Sequence, residues 1–431
     1  MSPSSADRSL TSPRWAEVAA ATAMEHRTLT LRRVRLTDDT TTDVEVDEET
    51  GTIARVGQDL DPSGPGRAID LKGYLLLPAP AEPHAHLDKA FLAERIPNPS
   101  GDLAGAIVAM DANRASLTAI DIADRAERAA RMMVANGITA IRSHADTMTG
   151  HGLRSVEGLV AARERLAGLV DLQIVALVSW PVTGTAGAEH RALLEAALEA
   201  GADVVGGCPH LDDDPDGANE VLLEIAADHG LMVDLHTDET LNPCVLGLRD
   251  LAARVAKSGF PHQVTASHCV SLGVQPLALQ REVAAEVAAA GVGVVTLPQT
   301  NLYLQSRDVP VAPPRGLTAV RPLLEAGATV AAGADNLQDP FNLVGRADPM
   351  ETAALMVMAG HLLPAEAYLA VSASSRTLLG LPPVRIEPGA PAELLAIRAD
   401  SLREAIATAP LDRLVIHAGR LVSRTRVTSD P

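Results

Sequence analysis

Aromatic side chains are scarce in this sequence. Phenylalanine, tyrosine and tryptophan make up 2% of its 431 residues, while 47% of the residues are hydrophobic, so the core has to be built from alanine, leucine and valine. Only three cysteines occur, Cys208, Cys244 and Cys269, and no two of them form a Cys-x-x-Cys pair. This spacing excludes a disulfide framework and a cysteine-rich zinc site. No apolar run approaches the roughly 20 residues that cross a bilayer.

Positive charge is also in short supply. The formal net charge is −19, with 36 Lys and Arg residues against 55 Asp and Glu residues. Such a surface repels phosphate backbones and anionic lipids, so we expect neither nucleic acid nor a membrane as partner, and a small molecule fits better. Residues 1–27 contain no continuous apolar segment like that of a secretory signal. We interpret them as a mobile tail that precedes a cytoplasmic enzyme.

Both ends of the chain show the alternation of apolar and polar residues that is typical of short, half-buried strands. It begins at Thr28 and returns in Ala392–Ile397 and Leu414–Val422, with a helix-like stretch around Leu402–Ala407 between these two. We therefore expect residues 28–73 and 384–431 to form one small composite domain, a β-sandwich built from both chain ends.

The middle of the chain, residues 74–383, alternates short apolar runs with alanine- and glutamate-rich helical stretches, a pattern typical of βα units around a parallel sheet. Eight runs qualify as strands: Tyr74–Pro83, Ile138–Ser143, Leu172–Val178, Asp203–Gly207, Leu231–His236, Val264–His268, Val292–Leu297 and Thr329–Asp335. Eight strands close a barrel, and no phosphate-binding glycine motif follows the first strand as a doubly wound sheet would require. The predicted fold is an α/β protein with a (β/α)₈ TIM-type barrel.

Several potential metal ligands stand where the predicted strands end. His84 and His86 are two residues apart at the end of the first strand, so both imidazoles point to the same side. His236, His268 and Asp335 end the fifth, sixth and eighth strands. The carboxyl ends of barrel strands form the active site in enzymes of this fold. Imidazoles with one carboxylate suit one divalent catalytic metal, zinc or iron.

Glu239 follows His236 by three residues, in the segment HTDET. A carboxylate at this place is positioned to move the proton of a metal-activated water without being a ligand. The alternative is a structural role in the first turn of a helix, where the macrodipole favours glutamate. Because Glu239 lies close to potential metal-binding histidines, we favour the catalytic role.

Taken together, these motifs resemble the amidohydrolase superfamily and, within it, the cytosine deaminase family, which includes the N-isopropylammelide amidohydrolases. The resemblance runs from about Leu75 to Val422 and is carried by five segments: EPHAHLDKAF, DLHTDET, TASHCVSLG, NLYLQ and GADNLQDPF. It implies that four residues bind the metal, that His268 contacts the attacking water or the substrate, and that Glu239 shuttles protons. The implied ligands are His84, His86, His236 and Asp335. Asp335 is also implied to accept the proton of the water.

Many members of the superfamily hold two metals bridged by a carboxylated lysine at the end of the fourth strand. This sequence has only Lys72, Lys89 and Lys257, so no lysine lies in strands two to five. We therefore expect one metal ion. Lys89 itself is interpreted either as a cation that contacts substrate or as a solvated loop charge.

The expected substrate contacts depart from the family pattern. Asn336 and Phe341 stand where cytosine deaminases carry aspartate and tryptophan, and Ser179, beside Trp180, aligns with a glutamine that reads the ring edge. An amide both donates and accepts hydrogen bonds, so the ring edge that is recognised should differ from that of cytosine. His144 and Asp146 either line the pocket or make structural hydrogen bonds.

The predicted function is hydrolytic deamination of an amino-substituted nitrogen heterocycle, a cytosine-like pyrimidine, pterin, purine or triazine, with release of ammonia. One alternative is hydrolysis of an N-alkylamino heterocycle or a cyclic amide at the same site. Another is a barrel that has lost catalysis and serves as a binding or assembly module. The sequence leaves the oligomeric state open between a monomer and a homo-oligomer; closed assemblies are common for such folds.

Overall fold

The computed structural model describes residues 27–62 and 66–428. The predicted tail, residues 1–27, therefore lies outside the described residues except for Arg27. The described part of the chain starts with five strands that pair with one another: β1 (Thr28–Arg35), β2 (Thr41–Asp47), β3 (Thr52–Gly57), β4 (Arg67–Asp70) and β5 (Leu75–Pro78). Strand β1 has three partners in this sheet: it pairs antiparallel with β2 and parallel with β4 and β5.

Eight further strands form a parallel sheet whose neighbours follow chain order. They are β6 (Ala81–Ala85), β7 (Ala140–Thr147), β8 (Asp171–Val178), β9 (Val204–Gly207), β10 (Met232–Thr237), β11 (Val264–His268), β12 (Gly293–Thr296) and β13 (Val330–Ala332). The first and last strands meet through a parallel bridge between Ala85 and Asp335, which closes the sheet into a barrel. The predicted (β/α)₈ barrel is confirmed.

Helices connect the barrel strands and cover the outside of the barrel. They are α1 (Leu103–Asn113), α2 (Ala119–Ala135), α3 (Arg154–Arg165), α4 (Ala188–Glu199), α5 (Pro215–His229), α6 (Gly247–Ser258), α7 (Val270–Gly273), α8 (Leu277–Ala290), α9 (Pro298–Leu304), α10 (Val320–Glu325), α11 (Pro349–Met358), α12 (Pro364–Val371), α13 (Ala373–Leu378) and α14 (Leu402–Thr408). Alanines and leucines supply most of the core between helices and strands, as the shortage of aromatic residues requires. Within the described ranges, no helix is both long and apolar enough to cross a membrane.

The last three strands, β14 (Leu394–Ile397), β15 (Arg413–His417) and β16 (Arg420–Arg424), return to the N-terminal strands. β14 pairs antiparallel with β5, so the two chain ends form one continuous eight-stranded sheet. Its side chains alternate between two cores: Leu75 and Leu77 pack with the barrel helices, whereas Leu76 packs with the second core inside the terminal sheet. The sheet is thus fixed to the barrel by every other residue of its central strands.

Three predicted strands differ from the observed ones. The run Tyr74–Pro83 is not one barrel strand: Leu75–Pro78 belongs to the terminal sheet and only Ala81–Ala85 belongs to the barrel. Pro78 and Pro80 lack the N–H that would continue a ladder, so the chain passes from one sheet to the other between them. The run Leu414–Val422 is a hairpin that turns at Ala418 and Gly419.

Both turn residues of this hairpin have positive φ, 45° at Ala418 and 78° at Gly419, as a type I′ turn requires. A Cβ on Gly419 would lie 2.6 Å from the carbonyl oxygen of Asp47. The last predicted barrel strand, Thr329–Asp335, is also shorter than expected, so that Asp335 lies three residues beyond the end of β13.

A buried ion pair joins the terminal sheet to the barrel. Arg413 of β15 donates to both carboxylate oxygens of Asp348, at 2.9 and 2.8 Å, and Asp348 also caps α11 through the backbone N–H of Met350. The Arg413 side chain is 1% exposed. We expect Arg413→Met to lower the free energy of unfolding by about 3 to 5 kcal/mol, because Asp348 would lose its partner while buried.

The matched control for this prediction is Arg398→Met, directly after β14 of the same sheet. Arg398 faces Asp412 at 3.9 Å and its side chain is 63% exposed. An exposed pair contributes less than about 1 kcal/mol. Denaturant unfolding of both variants checks the expectation, and equal losses would contradict it.

Candidate active site

A cavity of about 290 Å³ opens at the carboxyl ends of the barrel strands. This is the end of the barrel where loops from several strands meet. Its wall includes eleven of the side chains that matter below: His86, Lys89, Arg114, Asp146, Ser179, Trp180, Glu239, His268, Asp335, Asn336 and Phe341. The predicted substrate contacts, which are distant in sequence, are therefore neighbours in space.

Four potential ligands converge at the base of this cavity. The Nε2 atom of His86 lies 3.1 Å from Nε2 of His236 and 3.4 Å from Oδ1 of Asp335. The Nε2 atom of His84 lies 3.7 Å from the same carboxylate oxygen. Ligand atoms about 2.1 Å from a tetrahedral zinc ion are about 3.4 Å from one another. The spacing therefore suits one metal ion.

The hydrogen bonding of these groups gives an independent test of whether a cation fits. The Nε2 atom of His84 and both oxygens of Asp335 are buried without a hydrogen-bond partner. Leaving such atoms unpaired is costly, and ligation of a metal would satisfy them. Burial holds the pKa values of His84, His86 and His236 well below the ordinary range, so these rings are neutral, which is the form that binds metal.

The position of Asp335 follows from the closure of the barrel. Its backbone N–H donates to the carbonyl of His84 at 3.1 Å, and its carbonyl accepts from the N–H of His86 at 3.1 Å. The buried Glu82 carboxylate accepts the N–H of Ala334 at 3.0 Å. Asp335 itself has φ 63°, a left-handed conformation that is strained for a residue other than glycine. The seam between the first and last strands thus fixes the carboxylate beside the imidazoles.

Glu239 and His268 form the second functional pair. Oε1 of Glu239 lies 3.5 Å from Nδ1 of His268, which is also 3.1 Å from Oδ1 of Asn301. Burial, and to a lesser extent Asp335, raises the pKa of Glu239 well above its ordinary value. Burial lowers the pKa of His268 to about 3. Near neutral pH Glu239 therefore holds a proton and His268 does not, which suits the pair to proton donation by the glutamate.

The residues expected to contact substrate have fixed orientations. The amide of Asn336 donates to Oδ2 of Asp339 at 2.8 Å, and the N–H of Phe341 donates to the other oxygen of the same carboxylate. Ser179 and Trp180 directly follow β8 on another part of the wall. Asp339 thereby sets the loop that carries Asn336 and Phe341.

Lys89 is not the solvated loop charge that one interpretation expected. It is 4% exposed, and its Nζ lies 2.5 Å from Asp146, 3.4 Å from Asp88 and 3.1 Å from Nδ1 of His86. Burial alone would lower the pKa of Lys89, but the two carboxylates outweigh it and raise that pKa. Lys89 is a buried cation that reaches both the cavity and a potential metal ligand.

Sequence reasoning missed one residue of the site, Arg114, and left the role of another, His144, open. Arg114 follows α1, lines the cavity and donates to Asp146 and Asp111; nothing in its sequence surroundings indicates this role. His144 is fully buried, its ring centroid is 3.9 Å from that of His84, and neither of its nitrogens has a hydrogen-bond partner. The structural hydrogen bond considered for His144 is therefore wrong. Its signal was the spacing of Arg142, His144 and Asp146 at every second residue of one strand, which puts all three on the inner face.

Comparisons with known proteins agree with this arrangement. Residues 92–423 match the amidohydrolase family. The chain is 34% identical over 378 residues to the pterin deaminase of Rhizobium rhizogenes, covering 85% of this chain and 86% of that protein. The chain therefore belongs to the amidohydrolase family, as its motifs predicted. It is a hydrolase that acts on carbon–nitrogen bonds in cyclic amidines.

Two solved structures show the same fold over nearly the whole chain. The 5-methylcytosine deaminase of Klebsiella pneumoniae, liganded with 5-fluorocytosine, superposes with a TM-score of 0.83 at 28% identity, covering 93% of this chain and 99% of that one. The N-isopropylammelide isopropylaminohydrolase of Burkholderia multivorans superposes with a TM-score of 0.79 at 31% identity, covering 92% and 98%. Each of these relatives is named for the hydrolysis of a nitrogen heterocycle.

The shared partner of the two cavity cations provides a test of this wall. Asp146 is buried and pairs with both Lys89 and Arg114. We expect Asp146→Asn to lower the free energy of unfolding by about 3 to 5 kcal/mol, because the buried Lys89 and the half-buried Arg114 lose their common countercharge. Denaturant unfolding measures the loss.

Asp111→Asn is the control, since Asp111 pairs with the same Arg114 but its side chain is 58% exposed. Its loss should stay below about 1 kcal/mol. A loss as small for Asp146→Asn would show that the cations need no countercharge.

Proposed function

We propose that the protein is a metal-dependent deaminase of an amino-substituted nitrogen heterocycle, with a pterin as the first candidate substrate. The observation that carries the proposal is the cavity in which Glu239 and the unpartnered side-chain oxygens of Asp335 lie beside the buried imidazoles. Burial raises the pKa of Glu239, which suits it to donate a proton. The 34% identity to a pterin deaminase supports the choice of substrate.

His84, His86, His236 and Asp335 would hold one divalent ion, zinc or iron. Such an ion, when bound, lowers the pKa of a water molecule toward neutrality. Among the described residues, the carboxyl end of β9 presents Cys208 to the cavity rather than a lysine. The lack of a lysine there supports a centre with one metal.

The proton transfers fall to the protein's own carboxylates. Asp335 accepts a proton from the attacking water, and the oxygen bonds to the ring carbon that carries the amino group. Glu239 gives its proton to the adjacent ring nitrogen, and His268 stabilises the charge that develops on the oxygen. The carbon–nitrogen bond to the amino group then breaks as the added oxygen forms a carbonyl. The proton held by Asp335 leaves with the amino group as ammonia, and the hydroxyl proton returns to Glu239.

Recognition of the ring would come from other side chains of the cavity wall. Asn336 can donate and accept at a ring edge, and Trp180 and Phe341 supply aromatic faces for a planar substrate. Cytosine, purine and triazine substrates, and release of an alkylamine instead of ammonia, remain the alternatives, because the acid and base serve any amine leaving group. The other alternative is a barrel that has lost catalysis and only binds. Such a protein would have no use for the proton of the buried Glu239. The cytoplasmic location stays a prediction, and the choice between a monomer and a homo-oligomer stays open.

We expect the purified protein to bind one equivalent of zinc or iron per chain, and His236→Ala to lose at least 90% of this metal. The control is His361→Gln, which changes an exposed histidine outside the cavity. Elemental analysis after dialysis gives the ratios. Two equivalents per chain, or full metal content in His236→Ala, would contradict the assigned centre.

Ammonia release from pterins, aminopyrimidines, purines and triazines tests the reaction. We expect a pterin to be deaminated, and Glu239→Gln to lower kcat by about 10²- to 10⁴-fold because the general acid is lost. Metal content should stay at one equivalent in this variant. An alkylamine or a ring-opened product without ammonia would refute the deaminase, and unchanged kcat in Glu239→Gln would refute the role of the glutamate.

A further inference from the structure

A chain of buried polar groups lies beneath the four potential metal ligands and ends at His84. Nη1 of Arg142 donates to Oδ2 of Asp234 at 2.9 Å. Oδ1 of Asp234 lies 2.9 Å from the hydroxyl of Ser267, and this hydroxyl lies 2.9 Å from Nδ1 of His84. All four side chains are fully buried, so water does not compete for these contacts.

The direction of each hydrogen bond in this chain is determined. A guanidinium only donates, so Asp234 accepts from Arg142. Ser267 has a single hydroxyl proton, and it must point to Asp234, since a carboxylate and a hydroxyl oxygen 2.9 Å apart need a proton between them. The Ser267 oxygen can then only accept from His84, which places the imidazole proton on Nδ1.

We propose that Arg142, Asp234 and Ser267 act as a relay that holds His84 in the Nδ1–H tautomer, with the lone pair of Nε2 directed at the metal position. All three are positioning residues, because none of them contacts the cavity. The proposal rests on the metal-dependent function above. It attributes part of the metal affinity to residues other than the four ligands.

The geometry at the other end of the ring agrees. Nε2 of His84 has no hydrogen-bond partner and lies 3.7 Å from Oδ1 of Asp335. His144 covers one face of the ring, with centroids 3.9 Å apart and planes inclined by 34°. The ring is therefore fixed by a hydrogen bond at one nitrogen and by stacking on a face, while the second nitrogen stays free.

The far end of the relay is itself anchored. Nε and Nη2 of Arg142 donate to the side-chain oxygen of Gln173 at 3.1 and 3.0 Å, and Nη2 also donates to the carbonyl of Leu378 at 3.0 Å. A buried ion pair is weak evidence for a stabilising role, because desolvation offsets much of the attraction. Holding the tautomer of a ligand gives Arg142 and Asp234 a functional reason to be in the barrel.

His86 shows that the ligands are not all held in this way. Its Nδ1 faces the ammonium group of Lys89 at 3.1 Å, and an ammonium group can only donate. Lys89 therefore favours the opposite tautomer of His86. The relay makes His84 the preorganised ligand of the pair.

The first test measures zinc affinity by competition with a chromogenic chelator. We expect Ser267→Ala to weaken binding by about 10- to 100-fold, the range typical of lost outer-shell partners. Ser267→Thr, which keeps a hydroxyl, should stay within about threefold of wild type. Ser375→Ala removes another fully buried serine hydroxyl, one in α13 that donates to the carbonyl of Ala370 in α12, and should also stay within about threefold. Wild-type affinity in Ser267→Ala would overturn the proposal.

The second test needs no metal and no substrate. Imidazole ¹⁵N spectra of the metal-free protein, with His84 assigned by comparison with His84→Gln, report the tautomer directly. We expect the Nδ1–H form in the wild type and a mixture in Ser267→Ala. An Nε2–H form of His84 in the wild type would overturn the relay even if ammonia release confirms the enzyme. The Nδ1–H form would support the relay even if no substrate is found.

Discussion

Burial of ionisable side chains at the carboxyl end of the barrel is the constraint on which the site depends. Burial keeps His84, His86 and His236 neutral, raises the pKa of Asp335 to about 8 and keeps a proton on Glu239. In water both carboxyl groups would be ionised at neutral pH. Burial therefore prepares the neutral imidazole ligands and the acid together, and a bound cation would favour the ionised form of Asp335 that serves as ligand and base.

The scaffold serves this end in two ways. Closure between β6 and β13 depends on the backbone bonds of Asp335 with His84 and His86, so the step that completes the barrel also assembles the cluster. The inner faces of the strands carry polar residues at every second position. The relay of Arg142, Asp234 and Ser267 therefore lies beneath the metal ligands. The terminal sheet contributes stability through the core that it shares with the barrel and through Arg413. The mouth of the cavity is formed by the loops of the barrel.

Most of the fold could be predicted from the sequence, because eight apolar runs and strand-end histidines are local signals. The passage from one sheet to the other at Pro78 and Pro80 was missed, since an apolar run does not reveal which sheet pairs with it. Placement of the ligands followed from strand ends and from family motifs. Arg114 and Ser267 could not be found in this way, because their roles depend on contacts between elements distant in the chain; the alternating Arg142, His144 and Asp146 did carry a usable signal.

A crystal structure of the zinc-loaded protein, with anomalous data collected at the zinc edge, would locate the metal ion and count it. We expect one anomalous peak per chain, about 2.0 to 2.2 Å from Nε2 of His84, a nitrogen of His86 and of His236, and an oxygen of Asp335. A second peak in the same cavity, or a single peak that none of these four side chains touches, would contradict this expectation.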